Sequence, residues 1–328
     1  MSGFYDGKRV LVTGGVGFIG SNLAIRLVEL GAEVVVVDSM LPAYGADLGS
    51  IAPVRDRVRL NFSDVRDRHS LSYLVRGQDL IFSLAGQVSH SESMKDPFTD
   101  LEINCLSQLS LLECCRQGNP GAKIVFASTR QLYGRPQYLP VDEAHPLLPV
   151  DVNGINKLAA ERYYTLYHEV HGIDTVSLRL TNTYGPRMDL RSDVKGFVGI
   201  FVRKAMGGEK IQIYGTGKQR RDFNHVDDVV DAFLRAGASD SADGQAFNLG
   251  DETPVSLLDL VTLLLDVAEG GSYTLVPFPP ERKRIDIGDF YADISKIRAT
   301  LGWEPRRPLR EGLAETVGFY REHRDQYL

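Results

Sequence analysis

The stretch RVLVTGGVGFIGSNLAIRLVELG, residues 9–31, constrains the fold more than any other part of the chain. RVLVTG is a short apolar, β-branched run that ends in glycine, the pattern of a buried strand. FIGSNLAIRLVELG has helical spacing and stops at Gly31. Between them Gly14, Gly17 and Gly20 stand at G-x-x-G-x-x-G spacing. In a strand–turn–helix unit the first glycine permits the tight turn. The second lets the backbone approach a pyrophosphate, and the third lets helix and strand pack closely. Gly14, Gly17, Phe18, Ile19 and Gly20 are therefore candidate contacts for a dinucleotide, with the free N–H groups of the helix N-terminus facing its phosphates.

The rest of the first half repeats the alternation. EVVVVD (33–38), RVRLNFSDV (57–65), DLIFSLAG (79–86), AKIVFAST (122–129) and DTVSLRL (174–180) read as strands. Residues 67–77, 96–117 and 153–171 read as helices. Continuous β-branched strands alternating with helices predict a parallel sheet covered on both faces. The fold class is thus α/β, a Rossmann-type doubly wound sheet with a smaller mixed α/β substrate domain. Residues 1–180 are assigned to the first and 181–328 to the second, with about 223–250 returning to the first. Within the second part, 210–236 reads as a hairpin followed by a helix, 257–269 as a helix, and 291–323 as two helices around a turn containing Trp303.

Asp38 ends the second strand, 18 residues after Gly20. A carboxylate there accepts both ribose hydroxyls of an adenosine and repels a 2′-phosphate, which favours NAD over NADP. No arginine follows directly in DSMLPAYG. Asp64 and Val65, just past the third strand, are placed to flank adenine. Composition sets the outer limits. With 37 basic and 43 acidic residues the net charge is −6, which gives no electrostatic case for nucleic acid or an anionic membrane. Three cysteines, Cys105, Cys114 and Cys115, lack metal-ligand spacing and read as buried thiols, so no metal and no disulfide framework is expected. No apolar run approaches ~18 residues, so no membrane span is expected. The opening MSGFYDGKRVLVTGG enters a strand almost at once, which leaves no room for a secretory leader and predicts a cytoplasmic protein.

Taken in order, the glycine turn, Asp38, STRQLYG, NGINK, RLTNTYGPR and RRDFNHVDD resemble the extended short-chain dehydrogenases/reductases, and within them the NAD-dependent nucleotide-sugar epimerase/dehydratase family. The resemblance runs from about residue 8 to 305. It implies that Leu84, Ala85 and Gly86 join the glycine turn, Asp38, Asp64 and Val65 in holding NAD. It implies that Lys157 binds the nicotinamide ribose and that Thr129 hydrogen-bonds the sugar hydroxyl to be oxidised. It further implies that Asn182, Arg221 and one of Arg282 or Arg284 contact a nucleotide-sugar diphosphate, and that helices 96–117 and 153–171 pair two chains into a homodimer.

Two positions depart from the family pattern. The family's proton-transfer tyrosine stands four residues before its lysine, on the same helix face. Here that residue is Asn153, a carboxamide that does not titrate near neutrality. The loss of a general base is worth about 10²–10⁴ in rate. Candidate substitutes are Tyr133, four residues past Thr129, and His90, in the loop after the fourth strand, a residue type suited to proton exchange near pH 7. His225 reads as a packing or capping residue. The second departure is Arg130 and Gln131 after Thr129, where the family's dehydratases and decarboxylases carry acids. This disfavours elimination and decarboxylation, and it puts a cation where a sugar carboxylate could sit. Three readings stay open: an epimerase working by transient hydride transfer, a keto-sugar reductase or carbonyl-adjacent (enediol) epimerase, and a non-catalytic protein that binds NAD or a nucleotide-sugar.

Overall fold

A computed structural model describes residues 3–41, 44–193 and 195–327. Pro42 and Ala43, in the stretch after Asp38, and Val194, in the 181–196 loop, lie outside the described residues, as do both chain ends. Strands β1 (Arg9–Thr13), β2 (Glu33–Val37), β3 (Val58–Asn61), β4 (Leu80–Ser83), β5 (Lys123–Thr129) and β6 (Thr175–Leu180) form one parallel sheet in the order β6-β5-β4-β1-β2-β3. A seventh strand, Ala246–Asn248, pairs in parallel with β6 and closes that edge. The chain order reverses between β1 and β4, so a crevice opens there at the carboxyl ends of the strands, where doubly wound sheets bind ligands.

Both faces are covered. On one, helix α1 (Phe18–Glu29) and the helix Val226–Gly237 bury Leu23, Leu27, Val230 and Phe233 against Val10, Val12, Phe82 and Val125. On the other, Ser107–Gly118 and Val152–His171 cover Leu11, Ile81, Ile124 and Phe126, with Cys114 and Cys115 inside the layer. The strands are apolar on both sides because both sides are dry. A separate cluster around Phe201, Ile211, Leu264 and Tyr320 forms the core of the smaller part.

The structure corrects two local expectations. Residues 210–236 contain no hairpin. Lys210–Tyr214 pairs in parallel with Ser272–Val276, Arg220–Arg221 pairs antiparallel with Val255–Ser256, and Phe223–His225 runs beside Asn182–Tyr184. The 96–117 helix is unbroken from 97 to 118 but not uniformly wound. It runs as Pro97–Leu101, then a wide π-helical turn at Glu102–Leu106, then Ser107–Gly118. Such turns often mark functional positions, and this one carries Asn104 towards the crevice. Among the described residues no helix is long and apolar enough to cross a membrane.

Candidate functional site

One cavity of about 430 Å³ runs along the crevice from the glycine turn to the end of β5. At the glycine end the backbone itself is the surface. Gly14 has φ +68° and donates to Val37 O at 2.8 Å. A Cβ on Gly14 would stand 2.8 Å from Ala85 N, and one on Gly20 would stand 2.1 Å from Gly14 O. Helix α1 then starts with no side chain capping its N–H groups, the arrangement that receives phosphate. Phe18, Ile19, Val65, Leu84, Ala85 and Gly86 all line the same cavity.

Asp38 is tied to the turn, its carboxylate accepting from Val16 N (3.3 Å) and Met40 N (3.0 Å). Burial pushes its carboxyl above the usual range, opposed by those two bonds and aided by the nearby Asp64 charge. Asp64 also lines the cavity, but its carboxylate is paired with Arg66 at 2.7 Å, which holds it below the usual range. A Cβ on Gly86 would meet Lys157 Nζ and Asn104 Oδ1, each at 3.0 Å, and that asparagine oxygen is buried with no partner. A bare backbone strip, a ribose-type carboxylate at one end, and an unpartnered acceptor beside a lysine at the other suit a dinucleotide.

Beyond Gly86 the residues carry chemistry. Thr129 ends β5, and its Oγ1 accepts from Gln131 N at 3.3 Å. Lys157, from the helix Val152–His171, donates to Ala127 O at 3.1 Å. Burial pushes its ammonium down to about 8, with Asp100 the charge that opposes the shift. His90 lines the cavity beside the N-terminus of this helix. Its Nδ1 is 2.7 Å from Asp151 Oδ2, and its Nε2 meets the Gln131 amide. Asp151 also caps the lysine helix, accepting from Gly154 N at 2.7 Å. Burial alone would raise the Asp151 carboxyl. The His90 bond and charge, with smaller help from Gly154 N and Arg130, hold it below the usual carboxylate range. The partners set the tautomer: an anionic Asp151 accepts the Nδ1 proton, leaving Nε2 as the acceptor.

Asn153 lines the cavity but is committed to the scaffold. It is 3% exposed, and its Nδ2 donates to Gln87 O (2.8 Å) and Asp100 Oδ2 (3.1 Å). Asp100, 1% exposed, also accepts from Asn156 at 2.7 Å and from Asn104 at 3.0 Å. One buried carboxylate thus gathers three amides, two of them from the NGINK segment. Neither Asp100 nor Asp151 stood out in the sequence. Asp151 had a usable signal, an acid at the N-cap of a long helix. Asp100 had none.

Several expected residues lie elsewhere. Tyr133 is fully buried outside the cavity. Its hydroxyl donates to Asn248 Oδ1 and accepts from Arg179, each at 2.6 Å, and burial drives its pKa up, so it does not reach a reacting atom. Arg282 and Arg284 are exposed on the short helix Pro280–Arg284 and do not line the cavity. Arg282 stacks near Tyr214 instead. Arg221 is buried behind the cavity wall, donating to the carbonyls of Arg220 and Gly288. Arg130 and Asn182 do line the cavity and touch, Nη2 to Oδ1, at 3.3 Å. His225 caps the helix Val226–Gly237.

Comparison with known proteins agrees with this geometry. Residues 10–250 match the model of the NAD dependent epimerase/dehydratase family. A UDP-glucose 4-epimerase of Mycolicibacterium smegmatis is 33% identical over 95% of this chain and 98% of its own length. The solved epimerase of Methanothermobacter thermautotrophicus superposes with a TM-score of 0.91 at 27% identity, over 98% of this chain and 94% of that one. MoeE5, solved with UDP-glucuronic acid and NAD, does so with a TM-score of 0.84 at 28% identity, over 96% of this chain and 99% of that one. Cofactor strip, lysine helix and near full-length similarity converge: the chain belongs to the NAD dependent epimerase/dehydratase family of extended short-chain dehydrogenases/reductases, and its cofactor is NAD.

Proposed function

We propose that this protein is a nucleotide-sugar epimerase, an isomerase acting on a nucleoside-diphosphate hexose or uronic acid, with His90 held by Asp151 as its acid/base. The observation that carries this reading is His90, which lines the same cavity as Thr129 and Lys157 and is held from behind by Asp151 at 2.7 Å. When bound, NAD supplies the acceptor and later the donor of the hydride at one sugar carbinol. The chain's residues handle the proton. The Thr129 hydroxyl holds the reacting oxygen, and His90 Nε2, once a sugar hydroxyl displaces the Gln131 amide, accepts its proton. Asp151 stabilises the resulting imidazolium and fixes the ring, as a buried carboxylate does for other catalytic histidines. Turning the ketone over in the cavity and reversing the steps returns the hydroxyl with the opposite configuration, with no net oxidation. Lys157 adds positive charge beside the developing alkoxide. The epimerase relatives support this outcome.

A second copy of the chain is part of the reading. Phe98, Leu101, Leu106, Ile155, Leu166 and Val170 are exposed on the helices around 97–118 and 152–171, a layer suited to pairing with itself. Light scattering on the purified protein tests it, a monomer at micromolar concentration excluding it.

The activity test is proton NMR in D₂O with NAD and matched nucleotide-sugars. The expected result is a new epimer without deuterium, and a fall in rate of roughly 10²–10⁴ for His90→Asn with sugar binding retained. Deuterium in the product would instead show proton exchange beside a carbonyl. An undiminished rate in His90→Asn would remove the histidine from the mechanism.

A further inference from the structure

Arg130 lines the sugar end of the cavity, directly after Thr129. Among the described residues it forms no ion pair. Its Nη2 donates to Asn182 Oδ1 at 3.3 Å, and its guanidinium carbon lies 5.1 Å from the centre of the Phe290 ring. Nη1 is buried with no acceptor. Near it stands a second guanidinium, Arg221, whose Nη1 donates to the carbonyls of Arg220 and Gly288 and whose Nη2 lies 3.8 Å from Asp286. Burial, and then Arg221, push the Arg130 guanidinium down to about 10. The charges of Asp222, Asp151 and Asp286 oppose that shift without reversing it, and none of them forms an ion pair with Arg130: Asp222 Oδ2 serves Ala292 N at 3.0 Å, and its Oδ1 has no partner. A buried cation with an idle donor is costly unless an anion meets it.

We infer that Arg130 is a carboxylate-reading residue, and that the sugar this enzyme takes is a nucleoside-diphosphate uronic acid or another hexose bearing an acid group. The inference rests on the proposed epimerase reading, because Thr129 marks where the reacting carbon sits. The residue next to that hydroxyl meets a substituent of the sugar ring. A guanidinium fork suits a carboxylate's two oxygens, and its rigid plane is already held over Phe290. The neutral hexose would leave Nη1 idle, so the arginine discriminates through the cost of an unpaired donor as well as through the bond it makes.

The test measures binding of UDP-glucuronic acid, UDP-glucose and UDP to the NAD-saturated protein by calorimetry, in wild type, Arg130→Gln and Arg130→Lys. NAD affinity serves as the check that each variant folds. The expected result is a wild-type preference for the uronic acid of at least about tenfold, lost in Arg130→Gln and partly kept in Arg130→Lys, with UDP unchanged throughout. Equal affinity for both sugars, unchanged by Arg130→Gln, overturns the inference and leaves the epimerase reading standing. An equal loss for all three ligands makes Arg130 a diphosphate contact and also overturns it. Failure of all three to bind, and of dTDP, CDP and GDP with them, removes the nucleotide-sugar reading and this inference with it.

Discussion

Asp100→Asn keeps the shape of the carboxylate beneath the site and removes its charge. Three amide groups, from Asn104, Asn153 and Asn156, point at its two oxygens from 2.7 to 3.1 Å. Hydrogen bonds to a charged group contribute about 1.5–3 kcal/mol and neutral ones about 0.5–1.5 kcal/mol. Neutralising the acceptor therefore costs about 1 kcal/mol per bond. The new amide nitrogen must also face at least one donor, which adds about 1–3 kcal/mol. Removing a buried charge returns part of its desolvation cost. A net loss of about 3 kcal/mol is expected. At about 2.1 cal/mol/K per residue the unfolding entropy of this chain is about 0.7 kcal/mol/K, so the melting temperature should fall by roughly 4 °C. Thermal melts of the cofactor-free protein at neutral pH, checked by urea midpoints, read this directly. A fall below about 1 °C would show that the three amides do not depend on the charge, and the account of Asn153 as a scaffold residue would go with it.

Other substitutions probe neighbouring parts of the argument. Asn153→Tyr, which restores the family's residue, should destabilise by roughly 2–3 kcal/mol through loss of the Gln87 and Asp100 bonds, and it should fail to raise turnover; a faster enzyme in an activity assay would contradict that. Lys157→Met should stabilise the cofactor-free protein at pH 7 by about 1–2 kcal/mol, because a lysine pushed down to about 8 carries its burial penalty in full below that pH. The unfolded chain binds more protons between pH 8 and the ordinary value of 10.5, so wild-type stability rises across that window and the variant's advantage shrinks, as denaturation at several pH values would reveal. Asp151→Asn preserves the helix cap but not the charge on His90, so turnover should drop by roughly 10²–10⁴ while the melting temperature moves little. Gly20→Ala places a methyl 2.1 Å from Gly14 O, and loss of NAD binding by fluorescence titration is the expected result.

The parts of the fold that were legible in the sequence are those set by local pattern. Runs such as VVVV at 34–37 are dry on both faces and announce themselves. The π-helical turn was not legible, because a helix-forming apolar run marks the helix and not a single wider turn within it. At that turn Asn104 reaches Gln87 O at 2.9 Å, a contact that no local pattern announces. The pairing of 210–214 with 272–276 was missed for a similar reason, since a parallel partner some sixty residues away leaves no mark near either strand. At the site, glycines and lysine were readable because their roles are backbone and helix-face roles. The His90–Asp151 contact joins the first residue of the short helix His90–Lys95, where the sequence suggested a loop, to a helix cap 61 residues on, and only the folded crevice brings them together. Arg221, Arg282 and Arg284 were named from the family resemblance, and a motif match does not say which way a guanidinium faces.

The strand Ala246–Asn248 has a consequence for how the chain is made. It completes the sheet edge beside β6 only after the chain has passed through 181–225. Asn248 then receives the Tyr133 hydroxyl and donates to Val141 O at 3.0 Å, tying that late strand to the segment after β5. On a ribosome the first 180 residues emerge with an unpaired β6 edge and without the helix that covers one sheet face. The nascent cofactor half must wait for about seventy more residues before it can close. A gene cut at residue 180 would yield a sticky fragment with an open β6 edge rather than a small NAD-binding module.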